Sequence, residues 1–193
     1  MTSDSPSIYL PGSLQGHFLI SMPHMDDPNF AQTVIYICEH NESGAMGIVV
    51  NRPIEMDLGQ LLQHLEFSYN SDLNDLIYAG GPVQNDRGFI LHRHTANQWE
   101  SCYDVTDELT LTTSLDILQA ISEHSGPEQF LVALGYAGWG PGQLEQELSD
   151  NVWLSCPANL DIMFRTPAEE RLQAAAATMG INLDLLTSQS GHA

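Results

Sequence analysis

The 193-residue chain holds 25 acidic residues against five arginines and no lysine, for a formal net charge of −20 at pH 7. A DNA-gripping surface typically neutralises about 6–10 phosphates with Lys and Arg, more than every cation here together, so neither independent nucleic-acid binding nor adsorption to an anionic membrane is expected. With 42% hydrophobic and 16% charged residues, the length suits one domain with a substantial core rather than a disordered or fibrous chain.

Residues 1–13 are polar and proline-bearing and read as a flexible tail ahead of one domain at 14–193. The tail lacks the basic start and apolar run of a signal peptide, and no later run approaches the roughly eighteen apolar residues of a membrane helix, which points to the cytoplasm. Cys38, Cys102 and Cys156 lie far apart with no C-x-x-C pairing, as reduced thiols do. Cys38 falls in an apolar strand pattern. Cys156, between Ser155 and Pro157, is the thiol to examine for reactivity, although nothing basic flanks it to lower its pKa.

His17–Ser21 is a short apolar strand, and residues 22–30, with two prolines and two aspartates, form a turn region. Thr33–Cys38 is β-branched and aromatic; after the turn Glu39–Gly44, Ala45–Asn51 returns as its hairpin partner. Asp57 opens a helix whose buried stripe is Leu58, Leu61, Leu62 and Leu65. Beyond a polar loop at 67–75, Leu76–Ala79 and Phe89–His92 read as strands joined by GGPVQNDRG, followed by weaker strand patterns at Trp99–Tyr103 and Glu108–Thr112. Ser114 is placed to cap a helix over Leu115–Glu123, with Leu115, Leu118 and Ile121 or their neighbours inward.

The stretch at 129–154 is the organising unit. Phe130–Tyr136 is apolar without alternation, as in a strand covered on both faces. A glycine-rich corner follows at Gly138, Trp139, Gly140, Pro141 and Gly142; then comes a helix beginning near Pro141 with Leu144 and Leu148 inward, and a strand opening at Val152. Near the end, Thr166 caps an alanine-rich helix over 167–179 that has Pro167 in its first turn and stops at Gly180. Strands and helices mix without strict alternation, so the fold class is α+β with a mixed or antiparallel sheet.

A glycine-rich strand-to-helix corner can cradle an anion; it can equally serve only to tuck Trp139 under the helix. Neither Gly-Lys-Ser/Thr nor G-x-G-x-x-G is present, so nucleotide binding of the familiar kinds has no support. Arg52, after Asn51 and before Pro53, and Arg87, between Asp86 and Gly88, can present fixed guanidinium forks to a carboxylate or phosphate. The alternative is an internal tie to Asp26, Asp27 or Asp86. His24 with Asp26 and Asp27 could supply half of an acid/base or metal site, and His92 and His94 could point the same way if their strand continues. Metal ligands come in pairs only, and no G-x-S-x-G elbow appears, so neither a metal site nor a nucleophilic hydrolase is expected. The candidate ligand-binding set is Asn51, Arg52, Arg87, Gly138, Trp139, Gly140, Gln143 and His24, with no cofactor and with a protein or small-molecule partner of unknown identity.

HFLISMPHMDDPNFAQTVIYICEHNESGAMGIVVNRP, GGPVQNDRGFILH and LGYAGWGPGQLEQELSDNVWL together resemble the AlgH/YqgE family of bacterial cytosolic proteins, from about His17 to the C-terminus. The resemblance implies a compact α+β domain with a small β-barrel-like sheet surrounded by helices. It carries an association with transcriptional regulation and no established biochemical activity. Two functional expectations follow. One is a non-enzymatic binding or regulatory protein with a groove near the glycine-rich turns. The other is an enzyme or small-anion binder in which Arg52, Arg87 and the Gly138–Gly142 corner meet in one pocket.

Overall fold

The computed structural model describes residues 13–68 and 72–189. The strands are β1 (His17–Ser21), β2 (Val34–Asn41), β3 (Gly44–Val49), β4 (Pro53–Asp57), β5 (Leu76–Ala79), β6 (Val83–Arg93), β7 (Cys102–Asp104), β8 (Leu109–Thr112), β9 (Phe130–Trp139) and β10 (Trp153–Pro157). The helices are α1 (Leu58–His64), α2 (Asp116–Ser122), α3 (Gln143–Ser149), α4 (Leu160–Arg165), α5 (Arg171–Ala177) and α6 (Leu183–Gln189). A 3-10 turn at Ala168–Glu170 leads into α5. The tail expected at 1–13 lies outside the described residues except for Ser13, whose hydroxyl donates to the His40 carbonyl.

One sheet runs β10-β1-β2-β3-β9-β6-β8-β7, with β5 parallel to β9 and β4 paired to β5. It curls into a half-barrel, the α+β architecture that the sequence pattern implies. Strand alternation sends successive side chains to opposite faces. In β2, Val34, Tyr36 and Cys38 enter the largest core cluster, beside Met163 of α4 and Ala175 and Ala176 of α5. Ile35 and Ile37, on the other face, join Trp139, Leu144 and Trp153. Farther along the sheet, Ile90 and Val132 turn to a third cluster under Leu62 of α1 and Ile117 of α2. Because both faces are covered, the runs in β1, β2 and β9 read as continuously apolar.

Several boundaries differ from the sequence pattern for local reasons. β9 continues past Gly135, whose left-handed φ of 80° falls where the register with β6 breaks, to Gly138 and Trp139, which pair with Met46 and Ala45 of β3. The following helix starts at Gln143 rather than near Pro141, because Gly142 takes a left-handed conformation (φ 74°) that no helix start accommodates sooner. In α2, Leu115 is 56% exposed rather than buried, and Ser114 bonds the Asp116 carboxylate and the Ser101 N–H instead of capping. Thr166 ends α4 in extended geometry, so the alanine-rich helix begins only at Arg171. β4 has no apolar signature of its own; it pairs at its two ends, Pro53 with Tyr78 and Asp57 with Leu76. Asp57 forms the expected N-cap, accepting from the Gln60 N–H (2.8 Å) while Gln60 accepts from the Asp57 N–H (3.0 Å).

Candidate functional site

Asn51 and Arg52 act as one fastening. The Asn51 side chain accepts from Val34 N–H and donates to the Gln32 carbonyl, both at 2.9 Å, replacing a missing rung where β3 ends. Arg52 donates from its two terminal nitrogens to the carbonyls of Asn29 (2.6 Å) and Ala31 (2.7 Å). The arginine is therefore tied to backbone, not to Asp26, Asp27 or Asp86. Its carbonyl accepts from Ala79 N–H, which brings β5 alongside. No carboxylate among the described residues pairs with it, and its Nε–H and outer N–H groups remain unengaged there, so the guanidinium is oriented but not neutralised.

That guanidinium lines a cavity of about 370 Å³ with Asn29, Asn85, Gly81, Pro82, Ile54 and Leu134 among its neighbours. The wall at Gly80–Gly81 is held by interlocking backbones: Gly80 N–H donates to Leu134 and Val49 N–H to Gly80. A Cβ on Gly81 would lie 2.1 Å from the Tyr136 carbonyl carbon. In the groove's lining, polar Arg52, Asn29 and Asn85 stand beside apolar Val49, Ile54 and Leu134.

Arg87 lies elsewhere. It lines a second cavity of about 300 Å³ with Glu39, Gln84, Phe89, Tyr103 and Tyr136, sits with its guanidinium carbon 5.6 Å from the Phe89 ring centroid, and bonds Gln84 at 3.4 Å. Trp139 borders a third, smaller cavity of about 180 Å³ that shares Glu39 and Met46 with the second. Arg52, Arg87 and the glycine corner thus do not meet in one pocket.

The corner satisfies itself. Gly140 N–H donates to Gln143 Oε1 at 3.0 Å, so the amide that could hold an anion is occupied by the chain's own side chain. Glu147 Oε2 accepts from the indole N–H of Trp139 (2.7 Å) and of Trp153 (3.1 Å), and Phe30 stacks on Trp139. Gly138 is exposed in β9, and His24 is exposed in the 22–30 turn. These contacts make Trp139 and Gln143 packing and turn residues in this structure.

Three arrangements carry no sequence motif. His40 is buried and accepts the Leu14 N–H at Nδ1 (2.9 Å), which leaves Nε2–H to donate to Glu145 at 2.6 Å. Glu145 is held below the ordinary carboxylate range by its own backbone N–H and then by His40. Arg171 is buried and bonds the carbonyls of Val50 and Thr166. Cys156 is buried against α5, and burial raises its thiol pKa while the Thr178 hydroxyl opposes, which disfavours the reactive thiolate. Spacing in sequence reveals none of these, because Glu145, Val50 and Thr178 lie on elements distant from their partners.

His92 and His94 do share a face. Buried His92 donates from Nδ1 to the Arg93 carbonyl and accepts from Thr112 at Nε2, both at 2.8 Å. His94 reaches Asp104 at 3.4 Å, and Thr110 donates to the same carboxylate at 2.7 Å. No group of three or more His, Cys, Asp or Glu among the described residues has metal-binding geometry. Burial pushes His92 below its ordinary value of 6.5; the Arg93 carbonyl opposes, and His94 adds to the shift. The folded state therefore keeps a neutral ring while the unfolded chain takes up a proton. The stabilising contribution is complete above pH 6.5 and is lost as pH falls through the folded-state value, at up to about 1.4 kcal/mol per pH unit. Urea titrations at pH 7.5 and 5.5 will show a larger loss for the native chain than for His92→Gln; equal losses would mean that His92 does not carry this dependence.

A curled, largely antiparallel sheet clothed by helices on both faces places the chain among small α+β half-barrel proteins. The chain matches the AlgH-like family model over residues 18–184 and belongs to that family. It is 54% identical over 186 residues to the UPF0301 protein AlgH of Pseudomonas aeruginosa, covering 95% of this chain and 97% of that protein. A UPF0301 protein of Thioalkalivibrio sulfidiphilus is 52% identical over 177 residues, 91% of this chain and 95% of its own. The solution structure of Pseudomonas aeruginosa AlgH superposes with a TM-score of 0.78 at 52% identity, covering 100% of both chains. A Corynebacterium diphtheriae protein of known crystal structure, 20% identical, shares the fold alone, at a TM-score of 0.69 over 88% of this chain and 89% of that one.

Proposed function

We propose that this protein is a non-enzymatic cytosolic binding protein whose ligand is a small anion, a carboxylate or phosphate compound, held in the Arg52 groove. The observation that carries the reading is a guanidinium fixed by two carbonyls at 2.6 and 2.7 Å, with no acidic partner among the described residues, lining a cavity of about 370 Å³. In a chain with 25 acids, an arginine left without one is informative. The net negative charge does not forbid an anion there, since charges beyond about 8 Å are largely screened at physiological salt, whereas an arginine contact is direct.

Retention rather than turnover fits the lining. Arg52, Asn29 and Asn85 supply hydrogen bonds, and the remaining lining residues supply shape; none of these side chains is a nucleophile or changes protonation near neutral pH. Any regulatory output passes through occupancy of this groove or through a protein partner, because a −20 chain is repelled by DNA.

A thermal-shift screen against acetate, malonate, citrate and inorganic phosphate tests the reading. A compound present at a hundredfold excess over its dissociation constant stabilises the native state by about 2.7 kcal/mol. The expected result is a shift with at least one anion that is lost in Asn85→Ala, an exposed position that leaves the Arg52 fastening intact, and in Arg52→Gln. Shifts that persist in both variants would place the anion elsewhere.

A further inference from the structure

The second cavity has its own chemistry, independent of the Arg52 groove. Its walls are aromatic: Phe89 and Tyr136 meet edge to face at 5.4 Å, and Tyr103, 43% exposed, stands at the opening with its hydroxyl accepting from Gln15 at 3.0 Å. Arg87, from the bulged start of β6, and Glu39, from β2, line the same space of about 300 Å³. Arg87 forms no ion pair with any described acid, Glu39 included. Among the described residues the Glu39 carboxylate accepts from the Asn41 amide at 3.2 Å and forms no ion pair. Two opposite charges thus border one aromatic-walled cavity without neutralising each other.

We propose that this cavity binds a small aromatic zwitterion, of the chemical class of a free aromatic amino acid. Its carboxylate pairs with Arg87, its ammonium with Glu39, and its ring lies against Tyr136 and Tyr103. Rings favour such offset and edge contacts, and the guanidinium stacked on Phe89 is pre-oriented to meet a carboxylate in bidentate fashion. A ligand with only one charge would leave either Arg87 or Glu39 desolvated and unpaired, which supplies the discrimination.

The test is an amide NMR titration of the full chain with L-tryptophan, tryptamine (no carboxylate) and indole-3-propionate (no ammonium). L-Tryptophan is expected to shift the amides of Arg87, Phe89 and Tyr136 saturably, and each single-charge analogue to bind about tenfold or more weakly. Arg87→Gln should make L-tryptophan and tryptamine equivalent, and Glu39→Gln should do the same for L-tryptophan and indole-3-propionate. Both positions are exposed, and the analogue comparison on the native chain decides the matter if either variant fails to fold. Absent saturation, equal affinity for the three compounds, or shifts confined to the Arg52 groove would overturn the proposal.

Discussion

Replacing Arg171 with methionine is expected to lower stability by about 3 kcal/mol or more, a loss set by two charge-assisted hydrogen bonds and the buried carbonyls left behind. Arg171 is 6% exposed. It donates from Nε to the Thr166 carbonyl at 2.9 Å and from a terminal nitrogen to the Val50 carbonyl at 2.6 Å, with its guanidinium carbon 5.0 Å from the Tyr78 ring centroid. One side chain therefore joins α5, the end of α4 and the segment after β3. Methionine keeps most of the apolar contact but supplies no donor, so the Val50 and Thr166 carbonyls lose their arginine partner in a dry environment. Lysine recovers little, because a single ammonium does not span the geometry of the planar fork. Urea denaturation with an unchanged m-value measures the difference. A methionine variant as stable as the native chain would show that the helical layer docks without this bond.

Gly81→Ala is expected to be among the most damaging single-methyl changes, costing about 4 kcal/mol or preventing folding. The new Cβ would stand 2.1 Å from the Tyr136 carbonyl carbon and 2.2 Å from its oxygen, at φ +154°. Both clashing atoms belong to the backbone of β9, which is hydrogen-bonded to neighbours on both sides and cannot give way. On the facing chain, a Cβ on Gly135 would lie 2.3 Å from the Gly81 carbonyl oxygen. The two glycines define one close crossing, and the Arg52 groove takes its wall from it. Soluble expression and thermal unfolding of Gly81→Ala beside Gly88→Ala, whose Cβ meets only Ile90 at 3.8 Å, check this. A Gly81→Ala protein melting with the control would mean that the crossing opens at little cost.

Local chemistry made much of this fold legible in advance. The β2–β3 hairpin, the Asp57 cap, the central covered strand and the α+β mixture follow from alternation, capping and unbroken apolar runs, all short-range signals. β4, α4 and α6 do not, because their order comes from what packs on them. The same divide runs through the candidate sites. Arg52 and Arg87 stand out because cations are scarce, but the sequence groups them with the Gly138–Gly142 corner, and the fold separates all three. Gly81, Asn85 and Asn29 carry no recognisable chemical signature and join Arg52 through the crossing of β5 with β9 and the fastening of the 22–32 turn. His40 with Glu145, and Arg171 with Val50, are pairs over 100 residues apart, beyond any local pattern.

The most direct measurement is an amide NMR titration of the full chain with the anion giving the largest thermal shift among acetate, malonate, citrate and phosphate. A binding protein with its site at Arg52 predicts saturable shifts concentrated at Gly81, Val83 and Asn85, together with the Arg52 Nε–H, and no turnover of the compound on prolonged incubation. Shifts centred on the Gly140–Gln143 turn, or no saturable shift from any of the four, would contradict it.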